Sequence, residues 1–234
     1  MFKKKLTDTK SSPSNLVTLT KPSSVISEQF KTIRTNIQFS IFDKEIKTIA
    51  ITSDMMSAGK STVAANLAIT FSMQGKKVVL IDSDMRKPTI HHFFNLSNRD
   101  GLTSLLTDRA IKLSNMIHHT GIENLFILTS GIIPPNPSEL LASKRMDELL
   151  VELETEFDLI IFDLPPVMAV TDAQIMASKV DGTIFVIRKD SSTKDRIMQS
   201  KNLLQKVNAN VIGVVLNRIK VEESLDYGYY GITD

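Results

Sequence analysis

Nine consecutive residues, Asp54-Met55-Met56-Ser57-Ala58-Gly59-Lys60-Ser61-Thr62, have the types and spacing to handle a polyphosphate. They follow the β-rich run Thr48 to Ser53 and precede Val63 to Ala68, a strong helix former. A loop between a strand and a helix N-terminus points backbone N–H groups at an anion, and Ser57, Ala58, Gly59 and Thr62 would contribute to that cradle. Lys60 would reach the β- and γ-phosphates, and the Ser61 hydroxyl would ligate Mg²⁺. The pattern G-x-x-x-x-G-K-[ST] is met at Gly59, Lys60 and Ser61, while Asp54 occupies the first glycine position. A helix that merely begins Gly-Lys-Ser-Thr would look the same locally; the strand in front favours the phosphate loop.

Two further strand-like runs end in carboxylates. Val78 to Asp82 continues into Ser83 and Asp84, and Leu159 to Asp163 continues into Leu164-Pro165-Pro166. A single aspartate after a strand is ordinarily a cap or turn residue. Two such strand ends beside a phosphate loop favour metal chemistry, and Asp82, Asp84 and Asp163 could converge on one Mg²⁺. Phosphoryl transfer is mostly positioning and charge neutralisation, so the acceptor still needs a base. The reading assigns Asp82 as base, Asp84 and Asp163 to the metal, and leaves the first two exchangeable. An acceptor tyrosine, with an ordinary pKa of about 10, would lose its proton more easily beside a carboxylate and a metal.

All three tyrosines, Tyr227, Tyr229 and Tyr230, fall within Asp226 to Gly231, among glycines, while the rest of the chain uses phenylalanine and no tryptophan. A terminal segment of this kind can enter another subunit's site. Its bland alternative is an aromatic cluster packed on the domain. Each added phosphate would bring about −1.5 to −2 charges, so a modified tail should leave an acid-lined, nucleotide-loaded site and loosen self-assembly.

These residues need a scaffold. Ile26, Phe30, Ile33, Ile37 and Ile41 recur at helical spacing and predict an amphipathic helix over 25–42, with Glu28, Lys31 and Arg34 on its polar face. Strands are predicted over 48–53, 78–82, 125–129, 159–163, 182–187 and 211–216, and helices over 60–73, 137–154, 172–178 and 193–207. That alternation predicts a three-layer α/β fold with a mostly parallel central sheet, whose ligands sit beyond the carboxyl ends of the strands. Residues 1–21, rich in Lys, Ser, Thr and Pro, are expected to form a flexible basic and polar tail, 22–221 the phosphate-loop domain, and 222–234 a flexible tyrosine tail.

Composition narrows the partners. Hydrophobic residues at 42% and charged residues at 23% suit an ordinary folded domain, and a net charge of +2 offers no clustered basic face for nucleic acid. The absence of cysteine removes disulfides and thiolate metal sites and suits a reducing cytoplasm. Lys3, Lys4 and Lys5 lack the apolar run of an export signal, and the apolar stretches are too short to cross a bilayer. The adjacent pairs His91-His92 and His118-His119 are expected to be ordinary surface residues. Arg86 and Lys87 could meet phosphate or an adaptor segment, or form a solvated basic turn.

From about Ser24 to Gly231 the chain resembles the bacterial tyrosine kinases of capsule and exopolysaccharide synthesis, in their separate cytoplasmic form. The resemblance rests on the phosphate loop, on Val79 to Pro88, on Ile161 to Val167, on Ser130 to Leu140, on Val170 to Gln174 and on the terminal tyrosines. It implies an ATP- and Mg²⁺-dependent kinase of protein tyrosines that phosphorylates its own tail in trans. It also implies a transmembrane adaptor of the polysaccharide co-polymerase type that recruits it to the inner membrane face, other tyrosine-containing substrates, a cognate phosphatase, and a homo-oligomeric ring with an octamer as candidate size. In that family a Glu-x-x-Arg-x-x-Arg stretch builds the ring; Glu28, Lys31 and Arg34 align with it, and lysine does not reproduce arginine's bidentate fork. Resemblance to related ATPases puts Asn217 near the adenine. The family's Pro-Gly before x-Gly-Lys is Met56-Ser57 here, and if position 57 needs φ > 0, serine costs roughly 1 kcal/mol and weakens nucleotide binding. Rival readings are a partitioning-type ATPase, which would carry a second lysine where Met55 stands, and a weakly active adaptor-bound module.

Overall fold

The computed structural model describes residues 15–39 and 46–219. Elements follow in the order α1 (Val17–Thr20), α2 (Val25–Phe39), β1 (Thr48–Ser53), α3 (Lys60–Ser72), β2 (Val78–Asp82), α4 (Ile90–Phe93), α5 (Leu102–Thr107), α6 (Leu113–Met116), β3 (His118–His119), β4 (Leu125–Leu128), α7 (Pro137–Ala142), α8 (Lys144–Glu156), β5 (Leu159–Asp163), α9 (Asp172–Ala177), β6 (Gly182–Arg188), α10 (Lys194–Lys206) and β7 (Val211–Asn217). They build one sheet in the order β3-β4-β2-β5-β1-β6-β7. Every described pairing is parallel except β3 with β4. The expected three-layer α/β fold with a mostly parallel sheet is what the chain adopts.

Strands β1, β2 and β5 are buried along their whole length because both sheet faces are covered, which is why they read as continuous apolar runs. Successive side chains feed opposite layers: Ile49 and Ile51 join the core beneath α2 and α3, while Ala50 between them joins the core beneath α5, α7, α8 and α9. The first of these layers rests on α3, an alanine-rich helix buried on nearly every side, so its ridges sit close to the sheet. All strands but β3 deliver their carboxyl ends to one edge, and β1, β2 and β5, side by side there, carry Ser53, Asp82 and Asp163.

Several expectations are corrected. The predicted tail over 1–21 ends earlier: Leu16 is buried, and both the backbone N–H and the hydroxyl of Thr18 donate to Asn66 Oδ1 at 3.0 and 2.9 Å, so 15–21 belong to the folded domain. Helix α2 is described to Phe39, and Ile41 lies outside the described residues. Its buried face keeps Phe30 and Ile37 of the predicted stripe, with Ile33 packed against the same core, but Ile26 is 48% exposed and Ser27 is buried instead, its hydroxyl donating to the Lys21 carbonyl at 2.6 Å. The helix predicted over 137–154 is two helices, because Ser143 adopts an extended conformation and its side chain accepts from Met146 N as the cap of α8. The two-residue strand β3 and short helices α1, α4, α5 and α6 were too brief for periodicity to register.

On α2 the three aligned residues part company. Glu28 and Lys31 form an exposed pair at 2.6 Å, whereas Arg34 Nη1 donates to the Thr70 carbonyl of α3 at 3.0 Å. Arg34 is not the free polar-face residue that spacing implied. Among the described residues no helix is long and apolar enough to cross a membrane.

Candidate active site

The loop joining β1 to α3 twice enters the left-handed region, at Ser57 (φ +60°) and Gly59 (φ +94°). Only glycine suits position 59: a Cβ there would lie 2.1 Å from Asn217 Nδ2. That amide donates to the Ala58 carbonyl at 2.9 Å, and its Oδ1 accepts from Arg218 N at 2.8 Å. The end of β7 therefore braces the loop through Asn217, whose side-chain amide bonds backbone on both sides.

Lys60 and Ser61 open α3 and are buried at the sheet edge. Lys60 Nζ lies 3.0 Å from Asp84 Oδ2 and 3.7 Å from Asp163 Oδ1. Asp84 Oδ1 accepts from Lys87 N at 3.1 Å, which closes the turn after β2. Asp82 stands beside Asp163 in the β2–β5 register, and its Oδ2 accepts from Thr89 N and Ile90 N at 2.8 and 2.9 Å at the start of α4. Asp82 Oδ1 and both oxygens of Asp163 are buried without a hydrogen-bond donor.

Three buried carboxylates thus share one lysine. Burial, with the Asp163 charge adding to it, pushes Asp82 up to about 8 even though two backbone N–H groups oppose the shift. Burial also raises Asp163, against the pull of Lys60. Lys60 is drawn down by burial, but Asp163 and Asp84 more than offset this and its pKa ends raised. The orphaned oxygens of Asp163 beside a phosphate loop are what a divalent cation satisfies, and with Asp84 held on the same Lys60 and Ser61 opening α3, these three residues fit Mg²⁺ with phosphate or water completing its shell. The three-acid metal set is corrected: Asp82 is turned toward α4, and among the described residues no group of three or more His, Cys, Asp or Glu is arranged to hold a metal.

Arg86, read above as a phosphate or adaptor contact or a solvated turn, instead makes a two-pronged pair with the buried Asp172 at 2.9 and 3.1 Å. It ties the turn that carries Asp82 and Asp84 to α9. Sequence reasoning also passed over Arg188 and Arg196, which with Asp54, Met55, Met56, Ser57, Pro166, Met168 and Ala169 line a cavity of about 630 Å³ on the outer side of the phosphate loop. A basic residue ending β6 was a visible signal for Arg188; nothing in the sequence marked Arg196, which reaches the loop only because α10 starts beside it. The tyrosines Tyr227, Tyr229 and Tyr230 lie outside the described residues.

Comparison with known proteins follows the same lines. Residues 46–212 match the model of the AAA domain family. Tyrosine-protein kinase YwqD of Bacillus subtilis is 44% identical over 220 residues, covering 94% of this chain and 92% of its own. Among solved structures, the chimerical protein CapA2B2 superposes with a TM-score of 0.85 at 43% identity, covering 88% of this chain and 90% of that one. The kinase domain of the Escherichia coli tyrosine kinase ETK follows at 0.83 and 32%, covering 88% and 80%. MinD of Pyrococcus horikoshii, complexed with Mg-ADP, shares the fold at 24% identity, a TM-score of 0.62 and coverage of 77% and 76%.

Proposed function

The chain belongs to the bacterial tyrosine-protein kinases, and from that premise we propose that it transfers the γ-phosphoryl group of Mg²⁺-bound ATP to tyrosines of its own terminal cluster, Tyr227, Tyr229 and Tyr230, on a neighbouring copy. The observation that carries this reading is the buried acid cluster at the loop: Asp82 with a free Oδ1 and a pKa near 8, beside Lys60 at the end of the phosphate loop. A nucleotide-controlled switch that only hydrolyses ATP needs no base for a phenol, and the place of its second lysine is taken here by Met55.

In this reading the N–H groups of residues 57–62 hold the triphosphate and Lys60 neutralises its outer phosphates. Ser61, Asp84 and Asp163 would hold Mg²⁺, which would supply charge neutralisation for the transferring phosphoryl group. Asp82 Oδ1 accepts the phenolic proton of the incoming tyrosine as the O–P bond forms and the bond from phosphorus to the ADP oxygen breaks. The carboxylate's two backbone hydrogen bonds keep Oδ2 fixed, so the proton goes to the oxygen without a partner.

The setting follows the family. We propose a transmembrane adaptor of the polysaccharide co-polymerase type as activator and membrane anchor, control of capsular or exopolysaccharide synthesis, other tyrosine-bearing substrates, and reversal by a phosphatase. Ring assembly would use the exposed Glu28 and Lys31, with Arg34 securing α2 to α3.

The test is direct. Purified chain with Mg²⁺ and labelled ATP, with and without the cytoplasmic segment of a candidate adaptor, should place label on the tail peptide. Changing all three tyrosines to phenylalanine should remove it, and label persisting elsewhere in that variant moves the acceptor off the tail.

Serine at position 57 adopts the left-handed region in the folded loop, a strain of about 1 kcal/mol that glycine lacks. Ser57→Gly should therefore stabilise the folded chain by about that amount in urea unfolding, since the strain belongs to the loop whether or not nucleotide is bound. An unchanged or lower stability argues that the serine costs nothing there.

A further inference from the structure

Asp54 stands at the first glycine position of the phosphate loop, and its side chain is wholly buried. A loop missing a glycine invites the view that the motif has decayed, but the surroundings of Asp54 say otherwise. Its Oδ1 accepts from Ser192 Oγ at 2.8 Å, its Oδ2 lies 3.6 Å from Arg196 Nε, and its carbonyl accepts from Arg196 Nη2 at 3.0 Å. Ser192 Oγ in turn accepts from Arg188 N at 3.1 Å, while Arg188 Nη1 donates to the Ser57 carbonyl at 3.4 Å. Arg196 sits in the first turn of α10, whose start is capped by the Thr193 side chain accepting from Arg196 N. The segment between β6 and α10 therefore grips the loop at residues 54 and 57, while Asn217 of β7 grips it at residue 58.

We infer that Asp54 is a positioning residue for the nucleotide: its carboxylate is a strut that holds the first turn of the loop against the β6–α10 segment and thereby sets the N–H groups of residues 57–59 for the triphosphate. The inference rests on the ATP-binding reading above. A glycine at 54 supplies freedom this loop does not use, strips the Ser192 hydroxyl of its acceptor and removes the carboxylate paired with Arg196, leaving Arg196 only the carbonyl of residue 54. Restoring the consensus glycine at 54 should thus impair binding. The plain alternative is that Asp54 only satisfies a buried strand end and the stability of α10.

The experiment measures the dissociation constant of a fluorescent ATP analogue with Mg²⁺, and the KM for ATP, on the full chain. Variants are Asp54→Gly, Asp54→Asn, Arg196→Gln and the first and third combined, each with its thermal midpoint. Asp54→Gly should weaken binding about tenfold and Arg196→Gln about threefold, with Asp54→Asn between wild type and glycine because its amide oxygen still accepts from Ser192. The effect should fall on KM more than on kcat. The double variant should lose less than the sum of the two single losses, since Asp54→Gly already removes the carboxylate paired with Arg196 and leaves only the carbonyl contact to lose. If Asp54→Gly does not fold, the half-exposed Arg196 carries the test alone. Binding by Asp54→Gly as tight as wild type, or a lowered midpoint in Arg196→Gln with unchanged affinity, overturns the strut. Wild type that binds no Mg²⁺-ATP overturns the kinase reading and the strut together.

Discussion

Lys60→Met should abolish labelling from ATP and destabilise the nucleotide-free chain by about 3–5 kcal/mol at pH 8, the penalty expected when one partner of a buried ion pair is removed. The activity loss follows because no other described cation lies within ion-pair distance of Asp84 or Asp163, and the same group is the one proposed to neutralise the outer phosphates. The stability loss follows because Asp84 and Asp163 would remain buried beside Asp82 with no counter-charge. Its pH dependence has a definite sign. Burial already raises the Asp163 and Asp82 carboxyls, and removing Lys60 raises them further, so protonation relieves the repulsion at lower pH and the deficit should shrink toward pH 6. Urea unfolding of wild type and variant at pH 6 and pH 8, with a transfer assay on the folded protein, measures both. A variant as stable as wild type at pH 8 would mean that the acids do not depend on Lys60 for their charge.

Asp82→Asn should have opposite effects on rate and on stability. Loss of a general base costs roughly 10²–10⁴ in rate, so tail labelling should fall by that factor. Asparagine keeps an oxygen to accept from Thr89 N and Ile90 N, so the start of α4 should survive. The folded carboxyl at about 8 lies above its ordinary value of 3.8, so folded protein holds this proton more tightly than unfolded protein. Its contribution is then complete below about pH 4 and is lost as pH rises toward 8, by at most about 6 kcal/mol at ~1.4 kcal/mol per unit. The asparagine variant should therefore be more stable than wild type at pH 8, with a flatter stability profile between pH 5 and 8. Thermal melts across that range decide the second point. Near-normal labelling by Asp82→Asn would pass the role of base to Asp84.

The phosphate loop, both acidic strand ends and the six longer strands were legible because each is local. A strand buried on both faces must be apolar along its length, as Val78 to Ile81 is, and a loop that cradles phosphate must spell Gly59-Lys60-Ser61 consecutively. The helix break at Ser143 was harder to see, since the residues on either side share one apolar pattern and only a cap hydrogen bond separates α7 from α8. Exposed Ile26 and buried Ser27 were misjudged for a related reason. Periodicity ranks residues by type, and Ser27 is buried by a hydrogen bond to the Lys21 carbonyl rather than by hydrophobicity.

The sequence by itself determined the chemistry available: a phosphate loop, one lysine, three carboxylates at two strand ends, and tyrosines gathered in one terminal segment. These are matters of residue type at short spacing, which local geometry translates without help from the rest of the chain. Tertiary structure decided what those groups face. Parallel pairing of β2 with β5 set Asp82 beside Asp163 from 81 residues away in sequence. It also turned Arg86 onto Asp172, committed Asn217 to Ala58, and gave Asp54 its partners in Ser192 and Arg196. Such contacts arise from strand order and helix placement, and a hydrogen bond across more than eighty residues leaves no periodic trace in sequence.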